Sequence, residues 1–157
     1  MLSMCSKTEQ ETEILGVALA KQLFPGAFVA LWGGLGAGKT AFARGVGKGL
    51  GANTIKSPTF TVLHSHEQGR LPLHHFDAYR LNGEDELWDI GYDEYVNGSG
   101  VVLLEWPERV LGALPRNRLD VKITGNGDDP RKIDLLPYGD EYEKLLSKLD
   151  LSGEVLL

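Results

Sequence analysis

The chain has 157 residues, of which 42% are hydrophobic and 24% are charged, a composition typical of one globular domain. Its 16 basic and 22 acidic residues give a net charge of −6, which argues against a protein that holds nucleic acid by electrostatics alone. The single cysteine, Cys5, excludes an intramolecular disulfide and favours a cytoplasmic protein.

The N-terminal part of the sequence predicts a helix, a buried strand and a second helix. The capping-box sequence TEQE and the helical spacing of the leucines that follow it predict the first helix over about residues 9–23. Pro25 and Gly26 then break the chain. The run AFVALW predicts a strand buried on both faces, and TAFARGVGKGL predicts a helix that ends at Gly51.

The C-terminal part alternates short strands with helical and turn-rich segments. TFTVLHSHE and RLPLHHFDAY predict two strands joined by a turn, and VVLLEW predicts a second fully buried strand. GEDELWDIGYDEYVNGSG lies between them as short helix and loop. RLDVKIT and KIDLLPY predict a hairpin, and DEYEKLLSKL predicts a final amphipathic helix.

This order of elements predicts an α/β fold for residues 1–157, which we expect to form a single domain. The fold would be a three-layer sandwich whose mostly parallel central sheet is extended by an antiparallel hairpin. The N-terminal residues do not resemble a signal peptide, and the longest apolar runs are too short to cross a bilayer. We therefore expect no membrane association.

The segment GGLGAGKT matches the phosphate-binding pattern G-x-x-x-x-G-K-[ST] at Gly33, Gly38, Lys39 and Thr40. Glycines let the backbone N–H groups face an anion together with the N-terminus of the next helix. Lys39 would neutralise the β- and γ-phosphates, and the Thr40 hydroxyl would bind Mg²⁺. Because a buried strand precedes the segment and a helix follows it, we prefer a P-loop to a glycine-rich turn.

Two strand ends carry candidate catalytic carboxylates. A P-loop site needs an acidic residue at the end of a neighbouring strand to hold Mg²⁺. Glu105 ends VVLLE and Asp77 ends LHHFD, and we assign Glu105 to the metal. Asp77 would then either support the metal ligands or position the attacking water. The segment SPTFT, with Thr59, is either a switch that orders around the third phosphate or a turn that leads into a strand.

Two other patterns do not carry the chemistry that they first suggest. The sequence NRLD resembles the guanine-binding motif of GTPases, but it has Arg in place of Lys and precedes an alternating strand. Adenine is therefore the expected base, and ATP is the expected nucleotide. The four histidines, His64, His66, His74 and His75, lack the companion motifs of zinc sites. We therefore do not predict a histidine metal site.

Five segments occur in an order and spacing that resemble the TsaE (YjeE) family: GGLGAGKT, KSPTFTV, HHFDAYRL, ELWDIGYDEY and VVLLEWPE. The resemblance runs from about Thr12 to the hairpin near Asp134. It implies a small bacterial ATPase that works with TsaD-like and TsaB-like proteins to make threonylcarbamoyladenosine beside the anticodon of tRNA. Such a protein would contact tRNA only indirectly and would hydrolyse ATP slowly without its partners.

The resemblance also assigns roles to individual residues. Thr40 and Glu105 match the Mg²⁺ ligands, and Thr12 matches a residue near the base. The catalytic candidates are Lys39, Asp77 and Thr59. Trp106 matches a family tryptophan, for which a site role and core packing are equally expected. Gly34 departs from the family, which commonly has a polar residue there. The expected nucleotide-binding residues are Thr12, Gly33, Gly36, Ala37, Gly38, Lys39, Thr40 and Ala41.

Two alternatives to this ATPase remain open at the level of sequence. A P-loop kinase for a small molecule needs additional arginines to clamp the transferred phosphate. Only Arg44 and Arg80, of seven arginines, lie beside the proposed motifs. A nucleotide-gated interaction module, in which ATP only orders the SPTFT segment, is poorly separated from the ATPase by sequence.

Overall fold

The computed structural model of the chain describes residues 1–52 and 61–149. The strands are β1 (Leu2–Ser6), β2 (Phe28–Trp32), β3 (Leu63–His66), β4 (Leu73–Asp77), β5 (Val101–Glu105), β6 (Arg118–Thr124) and β7 (Arg131–Tyr138). The helices are α1 (Glu9–Ala20), α2 (Lys39–Leu50), α3 (Glu84–Asp89), α4 (Tyr92–Val96) and α5 (Asp140–Ser147). Two 3₁₀ turns follow β5, at Pro107–Arg109 and Leu111–Ala113.

The seven strands form one sheet in the order β1-β7-β6-β2-β5-β4-β3. The centre of the sheet is parallel, because β2 pairs with β5 and β6 in parallel and β4 pairs with β5 in parallel. The β6–β7 pair is antiparallel and extends this centre, and β1 and β3 add an antiparallel strand at each edge. This arrangement confirms the predicted α/β fold with its hairpin extension.

Helices cover both faces of the sheet, because the strands at its centre bury side chains on both sides. On one face Leu103 packs in a core with residues of α1, α2 and α5. On the other face Leu104 packs in a second core with residues of α3, α4 and the 3₁₀ turns. The alternation of β5 between the two cores explains why its sequence is a continuous apolar run. Three layers result, as predicted.

Three sequence expectations need correction. The strand β1 was not predicted, because only Leu2 and Met4 alternate with polar residues in its five-residue sequence. The first helix ends at Ala20 and not near residue 23, because a turn that precedes Pro25 replaces its last residues, with the N–H of Leu23 bonded to the carbonyl of Ala20. The strands β3 and β4 are shorter than predicted, because β3 ends at His66 and not at Glu67, and β4 begins at Leu73 and not at Arg70.

The helices α1 and α2 approach each other closely, and glycines make this possible. A Cβ atom added at Gly45 would lie 2.0 Å from the carbonyl oxygen of Glu13, and one added at Gly16 would lie 2.4 Å from that of Phe42. Glu13 also forms ion pairs with Arg44 and Lys48 of α2. The contact fixes α2, and with it the glycine loop that precedes this helix, against the N-terminal part of the chain.

Candidate active site

The glycine loop between β2 and α2 has the backbone conformation that its sequence predicts. Gly36 and Gly38 have φ angles of 76° and 107°, in the region that side chains other than glycine rarely adopt. Gly38 is the N-cap of α2, and no side chain caps the first turn of this helix. The N–H groups of this turn therefore lack a side-chain acceptor, and the positive end of the helix dipole adds to their attraction for an anion.

A cavity of about 660 Å³ opens beside this loop. Its walls come from the start of α1, the glycine loop, the ends of β4 and β5, and the turn between β6 and β7. Most of the predicted site residues line this cavity, namely Thr12, Gly36, Gly38, Lys39, Thr40, Ala41, Asp77 and Glu105. Gly33 and Ala37 lie in the loop but are not among the lining residues, and the predicted switch residue Thr59 lies outside the described residues.

Lys39 lies in the cavity between the glycine loop and an aromatic ring. Its Nζ donates a hydrogen bond to the carbonyl of Gly33 at 2.6 Å and lies 3.7 Å from the centre of the Trp106 ring. Burial lowers the pKa of Lys39, whereas the charges of Glu105, Asp77 and Glu108 raise it. The ammonium group thus faces the two candidate carboxylates across the cavity.

Trp106 is strained, and it takes part in both the site and the core. Among the described residues it is the only non-glycine residue with a positive φ, at 59°. This conformation turns the chain directly after Glu105, so that the indole ring contacts Lys39 and lies 4.8 Å from the ring of Tyr79. The same ring packs against the second core. Strained residues of this kind cluster at functional sites.

The strands β4 and β5 bring the two carboxylates together. Asp77 pairs with Glu105 in the parallel register, so both side chains emerge at the same edge and on the same face of the sheet. Burial raises the pKa of Asp77, which a hydrogen bond from the Tyr79 N–H opposes and the nearby charge of Glu105 reinforces. Glu105 is buried, and its Oε2 lies 2.5 Å from Nε2 of His75.

Thr12 belongs to α1 and also lines the cavity. It is buried, and its hydroxyl shares a hydrogen bond with Ser6 of β1 at 2.7 Å. Thr8 begins the same helix by accepting the N–H of Glu11, as the capping-box sequence predicts. The strand β1, which the sequence did not predict, therefore supports the part of the cavity wall that contains Thr12.

The family to which the chain belongs follows from comparison with known proteins. The model of the family described as "Threonylcarbamoyl adenosine biosynthesis protein TsaE" matches residues 6–133. The chain is a member of the TsaE family. A protein of Bacillus subtilis named "tRNA threonylcarbamoyladenosine biosynthesis protein TsaE" is 43% identical over 141 residues, which cover 89% of this chain and 88% of that protein.

Further relatives agree with the TsaE assignment. A protein of the same name from Treponema pallidum is 41% identical over 129 residues, which cover 82% of this chain and 95% of that protein. The crystal structure of Bacillus subtilis YdiB is similar with a TM-score of 0.81 and 37% identity, covering 94% of this chain and 93% of that one. These findings confirm the resemblance that the five sequence segments indicate.

The donor set of this TsaE-family cavity fits a divalent cation. Oxygen atoms are the ligands that Mg²⁺ prefers, and the Thr40 hydroxyl and the carboxylates of Glu105 and Asp77 all line the cavity. Burial raises the pKa of Asp77, and the charge of Glu105 on the adjacent strand adds to this shift; a bound cation would relieve the repulsion between the two carboxylates. The assignment of Thr40 and Glu105 as metal ligands stays a prediction.

Arg131 is a cavity residue that sequence analysis missed. Its Nε donates to the carbonyl of Ala37 at 2.9 Å, and its Nη2 donates to the carbonyl of Gly36 at 3.1 Å. The same guanidinium bonds to the carbonyls of Gly127 and Asp129 in the turn before β7. No local pattern connects an arginine at the start of β7 with a loop more than 90 residues earlier, so only the fold reveals this contact.

One pattern that sequence analysis set aside, NRLD, has a structural role. Asp120 of the NRLD segment is buried on β6, where it pairs with Arg118 at 2.9 Å, and it does not line the cavity. Residues 1–52 and 61–149 contain no group of three or more His, Cys, Asp and Glu residues that could hold a metal ion. Over the same residues, no helix is both long and apolar enough to cross a membrane.

Proposed function

We propose that the chain is an ATPase that binds ATP and Mg²⁺ in this cavity and acts in threonylcarbamoyladenosine modification of tRNA next to the anticodon. The observation that carries the proposal is the placement of Lys39, Asp77 and Glu105 around one cavity beside the phosphate-binding loop. Each of these residues comes from a different element, and together they supply the charges that phosphoryl transfer requires.

Phosphate binding would depend on the main chain and on Lys39. The N–H groups of residues 36 and 38–41 would bind a phosphate at the start of α2, where the helix dipole favours negative charge, whereas the N–H of Ala37 donates to the carbonyl of Gly34. Lys39 would move its Nζ from the carbonyl of Gly33 to the phosphate oxygens, because a phosphate is a stronger acceptor than a carbonyl. Mg²⁺, held by Thr40 and Glu105, would supply charge neutralisation of the transferred phosphate.

Hydrolysis would depend on Asp77. Its carboxylate lies beside Glu105 in the register of β4 and β5, and its Oδ1 accepts the N–H of Tyr79, which fixes its orientation. The raised pKa makes this carboxylate a better proton acceptor than an ordinary aspartate, as a residue that positions an attacking water needs to be. Thr59 stays a candidate for the third-phosphate switch.

The proposed tRNA-modification pathway rests on membership of the TsaE family, and the proposed partners rest on the sequence resemblance to that family. The relatives from Bacillus subtilis and Treponema pallidum are named as proteins of tRNA threonylcarbamoyladenosine biosynthesis. We propose that this chain acts there in the cytoplasm through TsaD-like and TsaB-like proteins. The net charge of −6 supports contact with tRNA through such partners and not through phosphate contacts of its own.

The kinase alternative loses one of its two candidate arginines in the structure. Arg44 pairs with Glu9 at 2.7 Å and with Glu13 at 2.9 Å, so its guanidinium is engaged away from the phosphate loop. Arg80 lines the cavity and could act in ATP hydrolysis as well as in phosphate transfer by a kinase. The nucleotide-gated module shares every feature of the site with the ATPase and is distinguished from it only by turnover.

Two measurements test the proposal. We expect calorimetry to show Mg²⁺-dependent binding of ATP and ADP, which Lys39→Ala weakens by about 100-fold because a charged contact to phosphate is lost. We expect single-turnover hydrolysis to be slow for the isolated chain and faster when TsaD-like and TsaB-like proteins are added. Equal rates with and without these proteins would contradict the partner role, and binding without any hydrolysis would favour the gated module.

A further inference from the structure

His75 lies behind Glu105 on the neighbouring strand. In the parallel register His75 is opposite Leu103, so Glu105 lies two residues further along β5 on the same face of the sheet. The two side chains meet at 2.5 Å between Nε2 and Oε2, and the residues are only 2% and 7% exposed. His75 does not line the cavity, whereas Glu105 does. The histidine therefore reaches the cavity only through the carboxylate.

The chemistry of the pair determines where the imidazole proton lies. A carboxylate that binds a cation only accepts hydrogen bonds, so in the proposed site Nε2 of His75 carries the hydrogen that bonds to Oε2. The other ring nitrogen, Nδ1, is buried and has no hydrogen-bond partner among the described residues. A buried nitrogen without a partner costs free energy of folding.

The hydrogen bond to Glu105 distinguishes His75 from the apolar residues around it. The preceding residue on this face of β4 is Leu73, and the residue opposite His75 on β5 is Leu103; both are fully buried in the first core. A leucine at position 75 would continue this apolar surface without leaving a polar atom unpaired. What a leucine could not provide is the hydrogen bond to Glu105.

We propose that His75 is a positioning residue that holds Oε2 of Glu105, so that the other oxygen, Oε1, is presented to the cation of a bound nucleotide. The inference rests on the proposed Mg²⁺–nucleotide site. Partners of this kind orient metal-binding carboxylates, and their loss typically lowers metal affinity by about 10- to 100-fold. A carboxylate that rotates freely would lose conformational entropy each time the cation binds.

His74 provides a matched control in the same strand. It is adjacent to His75 and is 8% exposed, but its side chain lies on the opposite face of the sheet. There it bonds to the Ser65 hydroxyl through Nδ1 at 2.8 Å and packs on the ring of Tyr95. It contacts neither Glu105 nor the cavity, so its replacement tests the effect of losing a buried histidine as such.

The variants distinguish a hydrogen-bond donor from a space-filling side chain. In His75→Gln the amide nitrogen is separated from Cα by the same number of bonds as Nε2 of histidine, so this variant can still donate to Oε2. In His75→Asn the amide is one bond shorter and cannot reach, although it is equally polar. His75→Leu removes the donor and keeps the core apolar. Circular dichroism establishes that each variant is folded.

The experiment measures cation and nucleotide binding separately from turnover. Calorimetry with ADP is carried out in excess Mg²⁺ and in EDTA, and Mn²⁺ affinity in the presence of ADP is measured from the free-ion electron paramagnetic resonance signal. We expect His75→Asn and His75→Leu to weaken Mn²⁺ binding by about 10-fold or more, with ADP affinity in EDTA unchanged within about twofold. His75→Gln should recover most of the loss, and His74→Gln should behave as the unmodified chain.

Three results would overturn the inference in distinguishable ways. Full Mn²⁺ affinity in a folded His75→Asn or His75→Leu would show that the hydrogen bond is not needed. An equal loss of ADP affinity with and without the cation would assign His75 to the general packing of the site. If the unmodified chain itself binds ADP with no effect of Mg²⁺, the proposed metal site fails, and the role of His75 fails with it.

Discussion

At one end of the cavity, the groups that we assign to the phosphates are main-chain amides of consecutive residues. At the other end, the groups that we assign to the cation and the water are the side chains of Asp77 and Glu105, which lie on adjacent strands and are 28 positions apart in sequence. The first end needs particular φ angles and tolerates few side chains. The second end needs a particular register and particular carboxylates. Substitutions should therefore affect the two ends through different quantities, affinity at the first and turnover or cation binding at the second.

The largest expected effect concerns Asp77 at the side-chain end. Asp77→Asn keeps the shape of the residue and removes the proton acceptor, so single-turnover hydrolysis with partner proteins should fall by between about 10²- and 10⁴-fold. Nucleotide affinity should change by less than about threefold, because the phosphate-binding amides are untouched. A parallel fall in affinity and rate would show that the two ends are not separable.

The contact between α1 and α2 should matter for stability and not for chemistry. A Cβ atom at position 45 would lie 2.0 Å from the carbonyl oxygen of Glu13, so Gly45→Ala forces the two helices apart. We expect the free energy of unfolding, measured by urea denaturation, to fall by about 1–3 kcal/mol.

Gly83→Ala is the control for this prediction. A Cβ atom there meets nothing within 4 Å, and a φ of 176° suits any residue. Its free energy of unfolding should equal that of the unmodified chain. A destabilisation as large as that of Gly45→Ala would mean that the helix contact is not the cause.

Arg131 should affect the main-chain end, although it acts through a side chain. Its guanidinium holds the carbonyls of Gly36 and Ala37. Because the C=O and N–H of one peptide unit point in opposite directions, the bond to the Ala37 carbonyl turns the N–H of Gly38 the other way. Arg131→Met should weaken ADP binding in EDTA by about 10-fold, the effect of losing hydrogen bonds from a charged donor.

The control for Arg131 is its neighbour Lys132, whose side chain is 67% exposed and pairs with Asp134. Lys132→Met also removes a positive charge from β7, but this side chain pairs with Asp134 and not with the glycine loop. Calorimetry should therefore show unchanged ADP affinity. If both variants bind ADP equally weakly, the positive charge of β7 and not the conformation of the glycine loop determines the affinity.

The smallest expected effect separates backbone conformation from space within the loop. A Cβ atom at Gly38 would meet its nearest neighbours only at 3.9 Å, but the φ of 107° is unfavourable for alanine. Gly38→Ala should therefore weaken ADP binding by about fivefold through strain of about 1 kcal/mol. Gly34→Ala, where nothing lies within 4 Å and φ is not positive, should leave ADP affinity unchanged.

The same contrast explains what the sequence could and could not predict. The glycine loop, the buried strands β2 and β5 and the helix after the loop follow from local patterns, because each depends on residues near one another in the chain. Glu105 was predicted as a site residue because it ends a buried strand, and it lines the cavity. The contact between His75 and Glu105 requires the register of β4 and β5, which no local pattern determines.

The remaining differences have similar physical causes. The first helix was predicted too long because Leu23 is buried in the core from a turn and not from the helix, and burial alone does not distinguish the two. Arg131 reaches the loop across the sheet and has no local signature. Trp106 was undecided between site and core, and the structure places its ring in contact with both Lys39 and the second core.

The pairing of the first and last strands has a consequence for how the chain reaches this structure. β1 lies at the edge of the sheet beside β7, with Leu2 opposite Leu135. A growing polypeptide must therefore leave β1 without its neighbour in the sheet until β7, which begins at Arg131, has emerged from the ribosome. Because Ser6 of that strand supports Thr12, one wall of the cavity is completed last, and folding that depends on so distant a contact is expected to be slow.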